Sequence, residues 1–79
     1  MNNINACIET FVARNSELLL SKDEWHISFI DIFANAFSEE DIRKELMVNP
    51  IRYIDVCDGV RFSVIYMENW REICLMRIK

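Results

Sequence analysis

Apolar residues near the start of the chain recur at helical spacing: Ile4, Ile8, Phe11, Val12, Leu18 and Leu19. This period predicts a helix over about residues 4–19, with Asn2 or Asn3 as its cap and Asn15-Ser16 weakening its last turn. Ser21-Lys22-Asp23-Glu24 then has the form of a capping box, with Leu20 and Trp25 at the flanking hydrophobic-staple positions. The arrangement repeats at Ser38-Glu39-Glu40-Asp41 with Phe37 and Ile42, although Asp replaces the usual Glu or Gln. Two start signals predict two successive helices, about 22–37 and 39–48.

Trp25–Phe29 alternates apolar and polar residues, which also fits a strand. The longer window favours a helix. At about 100° per residue, Glu24, Ser28, Asp31 and Asn35 fall on one narrow stripe, and nearly everything else to Phe37 is apolar. A strand would have to change phase at Ile30. Asn49-Pro50 ends the third helix, because the residue before a proline is pushed out of the helical region.

Three strands are expected after it, at about 51–57, 60–67 and 70–78. Asp58-Gly59 joins the first two as a type I′ turn, whose central residues both need positive φ. Glu68-Asn69 is the weaker second turn. With two-residue loops throughout, one sheet face carries Ile51, Tyr53, Cys57, Val60, Phe62, Val64, Tyr66, Ile73 and Leu75. The other carries Ile54, Val56, Ile65, Met67, Trp70, Cys74, Met76 and Ile78 among Arg52, Arg61, Ser63 and Glu72. Both are substantially apolar, so one rests on helices and the other needs cover from the N-terminal helix, another subunit or a partner. The expected fold is α+β: two to three N-terminal helices on a C-terminal three-stranded antiparallel meander, as one domain over 1–79.

Composition narrows the function. The chain has 79 residues, of which 52% are hydrophobic. A domain of this size buries only about 60% of its unfolded surface, so apolar side chains near the surface hint at a homodimer or a protein partner. The net charge is −4, which disfavours long-range attraction to nucleic acid or anionic lipid. Residues 1–49 hold nine acids and four bases; residues 50–79 hold four acids and five bases.

Gly59 is the only glycine, and the turn uses it. None remains for a phosphate-cradling loop, a dinucleotide fingerprint or a nucleophile elbow. Cys7, Cys57 and Cys74 form no close pair, as expected for reduced thiols in a cytoplasmic protein. The N-terminal residues lack the basic and apolar runs of a signal peptide, and no window is long and apolar enough for a membrane span.

His26 is the only histidine and reads as structural or partly exposed. The three cysteines and His26 have no zinc-ligand spacing, so no metal or cofactor is expected. The serines form no catalytic motif, and the carboxylate runs occupy first helical turns, where they offset the positive helix end. No enzymatic activity is expected.

Trp70, with Arg61, Met67 and Met76, is the candidate interface on the sheet side or its rim, since Trp dominates binding hot spots. Trp25 and Tyr66 are further anchor candidates, although the staple position of Trp25 also reads as core. Arg52, Arg61 and Arg71 either frame a partner surface or pair with Glu72 or Asp55. Glu39, Glu40, Asp41 and Glu45 form an acidic stretch that would imitate a phosphate backbone, diluted by Arg43 and Lys44.

The expected order of helix, helix, turn, helix and hairpin over residues 4 to 67 resembles the winged-helix fold. The resemblance is one of order and carries no motif. It implies a transcription regulator whose third helix enters the DNA groove. Here that helix begins Glu39-Glu40-Asp41, which phosphates repel, so a repurposed protein-binding version is expected. The leading expectation is a small acidic regulator or inhibitor that occludes a partner protein. By analogy of class, this is the manner of immunity proteins, antitoxins and the inhibitors of phages and mobile elements.

Overall fold

A computed structural model describes residues 4–79. The expected Asn2 or Asn3 cap lies outside the described residues. Helix α1 spans Ile4–Arg14 and buries Ile4, Ile8 and Val12, the helical period seen in the sequence. A single turn, α2, follows at Ser16–Leu19. Asn15 Nδ2 donates to the Phe11 carbonyl at 2.8 Å and marks the break between them.

The expected second helix is instead a strand and a short helix: β1 at Glu24–Ser28 and α3 at Phe29–Phe33. The alternation of Trp25–Phe29 prevails because β1 has a partner remote in sequence, the last strand of the sheet. The helical period of the longer window yields to such pairing. The phase changes at Ser28, whose Oγ accepts from the Ile30 N–H at 3.4 Å and so starts α3. The Ser21 capping box does not form. Ser21 Oγ donates to the Leu18 carbonyl at 2.6 Å and closes α2 instead. Phe29, Phe33 and Phe37 stack edge to face, with ring centroids 5.8 and 6.1 Å apart.

Helix α4 spans Glu39–Val48. Its start is as the sequence indicates: Ser38 Oγ accepts from the Asp41 N–H at 3.1 Å. Asn49 ends it before Pro50. Strands β2 (Tyr53–Asp55), β3 (Arg61–Met67) and β4 (Glu72–Arg77) complete an antiparallel sheet of order β1-β4-β3-β2. Among the described residues the fold is α+β with four strands, not three.

Two loops decide which side chains face inward. Asp58 and Gly59 both have positive φ, 51° and 79°, and Val60 N–H donates to the Cys57 carbonyl at 2.9 Å, as a type I′ turn requires. The Val60 carbonyl, however, accepts from Val56 at 2.8 Å. Val56 and Cys57 thus stand opposite Val60, a bulge that adds one residue. A one-residue shift reverses every side chain of a strand. Hence Ile54 turns inward and Tyr53 outward, the reverse of the expected assignment.

The β3–β4 connection is also longer than expected. Glu68–Trp70 form a 3₁₀ turn, and Arg71 adopts the left-handed conformation before β4 begins. Met67 therefore pairs with Glu72 rather than with Trp70. Two added residues preserve the alternation, so Ile73 and Leu75 share a face with Phe62, Val64 and Tyr66, as the sequence indicates.

That face is the core. Ile27, Phe62, Val64, Ile73 and Leu75 pack with Ile8 and Val12 of α1, Leu19, Phe33, and Ile42 and Leu46 of α4. Arg77 closes its end. The guanidinium lies 5.4 Å over the Phe62 ring, while Nη2 donates to the Leu20 carbonyl at 2.6 Å. Tyr66 holds the segment after Pro50: its hydroxyl accepts from the Ile51 N–H at 3.2 Å. Burial pushes the Tyr66 phenol up from its usual range, and the Ile51 hydrogen bond offsets part of this.

Candidate interaction surface

The two-residue period of the strands leaves a second sheet face. Glu24, His26 and Ser28 of β1 lie beside Met76, Cys74 and Glu72 of β4, then Ser63, Ile65 and Met67 of β3. Tyr53 and Asp55 complete the rows beside Ser63 and Arg61. This face is open: Tyr53, Ile65 and Met76 are 59%, 45% and 41% exposed. Arg61 Nε donates to Asp55 Oδ1 at 2.9 Å, and this neighbour raises the Arg61 pKa further. Of the two pairings expected for the strand arginines, this is the Asp55 one. The segment of the β2–β3 hairpin from Arg52 to Arg61 thus holds two bases, Arg52 and Arg61, and two acids, Asp55 and Asp58.

The β1 end of the open face carries a polar cluster. Glu24 and His26 share the face because they are two apart on a strand, and His26 lies directly opposite Cys74. His26 Nε2 is 2.7 Å from Glu24 Oε2, and Nδ1 is 3.8 Å from Glu72 Oε1. A Glu24 oxygen, a His26 nitrogen and Cys74 Sγ all lie within 4.8 Å of one another. Cys74 is buried between its neighbours while Glu24 and His26 are exposed. Burial, then the charges of Glu24 and Glu72, push the Cys74 thiol up from its usual range.

A groove of about 480 Å³ lies at the rim of the sheet, between α4 and the 3₁₀ turn. Phe29, Leu46 and Tyr66 line it, with Met47, Met67 and Trp70. Trp70 is 71% exposed and Met47 74%. Arg71 adopts the left-handed conformation that ends the turn carrying Trp70. Glu39 stands at the edge, with Oε1 2.9 Å from Arg71 Nε and 3.6 Å from Arg43 Nη2.

The expected site residues therefore divide. Trp70, Met67 and Glu39 line the groove. Arg61 and Met76 belong to the open sheet face. Glu40 and Asp41 are exposed on the first turn of α4, with Glu40 3.9 Å from Lys44, and Glu45 is half-buried further along. The acidic stretch is interleaved with bases rather than bare. Arg43 and Met47 were missed by the sequence reading. Their spacing of four puts them on one helix face, but only the fold shows that this face borders Trp70. The Glu24–His26–Cys74 grouping was missed because it needs β1 to be a strand.

Among the described residues, no helix is long and apolar enough to cross a membrane. Comparison with protein-family models, characterised proteins and solved structures finds no match to this chain.

Proposed function

We propose that this chain is a non-enzymatic regulator or inhibitor that works by occluding a partner protein, and that it grips the partner with the groove between α4 and the 3₁₀ turn. The exposure of Trp70 carries this reading. A large aromatic side chain left in water beside Met47 and Met67 is the composition of an interface anchor. The groove accepts an apolar side chain of the partner, with Phe29, Leu46 and Tyr66 as its lining. Glu39, Arg43 and Arg71 supply a charged rim that orients the partner more than it adds affinity.

The test is capture from the native host with the wild-type chain, Trp70→Ala and Arg52→Ala as baits of matched thermal stability, followed by binding of the purified partner. The partner should be retained by wild type and Arg52→Ala and lost by Trp70→Ala. A partner held equally by all three, or retention of nothing but a second copy of this chain, overturns the reading.

A further inference from the structure

We infer that Glu24, His26 and Cys74 form a binding site for a divalent metal ion of the zinc class on the open face of the sheet. The inference is independent of the groove and of any partner gripped there. Three features support it. First, the backbone places the ligands. Directly opposed residues of an antiparallel pair have Cβ atoms about 5 Å apart, which suits a thiolate and an imidazole sharing one ion. His26 and Cys74 are such a pair, and Glu24 is two residues before His26 on the same strand face.

Second, the ligand types agree. Sulfur, imidazole nitrogen and carboxylate oxygen together select zinc-like ions, whereas calcium and magnesium take oxygen alone. Ligand atoms around a tetrahedral zinc are about 3.5 Å apart, given its bond lengths. The present atoms lie within 4.8 Å, so binding requires the exposed Glu24 and His26 side chains to close on Cys74 Sγ. Cys74 is held in place by burial.

Third, a carboxylate that could support the histidine stands nearby, with Glu72 Oε1 3.8 Å from Nδ1. Nε2 is the ring edge beside Glu24, which leaves Nδ1 facing Glu72. A carboxylate on the far nitrogen of a ligating histidine fixes the ring and raises its basicity. Binding replaces the Cys74 Sγ–H bond with a metal–sulfur bond and releases that proton to solvent. Three protein ligands leave a fourth position open towards solvent, to be filled by water.

Cobalt(II) titration of the reduced full-length chain tests the site, because a cobalt–thiolate bond gives a near-ultraviolet charge-transfer band. The wild type should bind one cobalt with that band, and zinc should displace it. Cys74→Ser should lose the band, while the double variant Cys7→Ser/Cys57→Ser keeps it. His26→Ala and Glu24→Gln, both at exposed positions, should weaken binding by at least about tenfold, and Glu72→Gln by about tenfold. Absence of the band from the wild type, its persistence in Cys74→Ser, or an unchanged affinity in His26→Ala overturns the inference.

Discussion

The two faces of the sheet are drawn from the same strands in alternation, yet they meet different surroundings. Ile27, Phe62, Val64, Ile73 and Leu75 point to the helices and are sealed by them. Tyr53, Ile65 and Met76, one residue out of phase, stay exposed, and Met67 reaches the rim groove beside α4. In so short a chain α1, α3 and α4 suffice for one layer. Turn chemistry then decides which apolar residues are sealed. One bulged residue at Val56-Cys57 exchanges Tyr53 for Ile54, whereas the longer 3₁₀ connection changes nothing inward.

The largest effect should separate the faces by stability. Phe62→Ala deletes a fully buried ring and should cost about 3–5 kcal/mol by chemical denaturation. Ile65→Ala, its counterpart on the open face, should cost less than about 1 kcal/mol. Equal losses would mean that the second face is covered. The rim should behave differently again. Trp70→Ala should weaken partner binding by about 2 kcal/mol or more while moving stability by no more than about 0.5 kcal/mol. A large loss of stability would place Trp70 in the packing rather than at an interface.

The turn that sets the β2 register should give an intermediate response. A Cβ at position 59 would meet nothing within 4 Å, so the cost of substitution is conformational alone. Gly59→Val should cost about 1–2 kcal/mol, read as a fall in melting temperature, and Gly59→Asn should be nearly neutral. No loss with Val would undo the turn assignment and the exchange of Tyr53 for Ile54.

The smallest effect concerns the edge where β1 joins β4. Asp23 lies 2.8 Å from Lys79 Nζ and 3.1 Å from Arg77 Nε. Lys79 first, then Arg77, holds the Asp23 carboxyl below its usual range, with its full exposure to solvent limiting the effect. A carboxylate with a lowered folded-state pKa stabilises the fold above the ordinary range, and the gain disappears as pH falls through the lowered value. Asp23→Asn should therefore melt slightly below wild type at neutral pH, with the difference closing in acid. A difference independent of pH would mean that the ion pairs contribute nothing at this edge.

Local chemistry was legible in the sequence. The α1 period, the Ser38 cap, the Asn49-Pro50 stop and the Asp58-Gly59 turn each depend on a few adjacent residues, and each is present. β1 was not legible, because a five-residue alternation inside a helical window is resolved only by β4, far along the chain. The bulge was equally hidden: it consists of a carbonyl choosing Val56 over Cys57, which no side chain announces. The same division holds for the surface. Trp70 was identifiable beside a turn, whereas the opposition of His26 and Cys74 exists only once β1 and β4 pair.

The contrast between the faces is most directly measured by NMR in dilute solution with an inert paramagnetic cosolute. Side-chain signals of Tyr53, Ile65 and Met76 should broaden strongly, while those of Phe62, Val64, Ile73 and Leu75 remain sharp. Protection of both sets in the dilute monomer would contradict an open second face, and with it the strand order and register that create one.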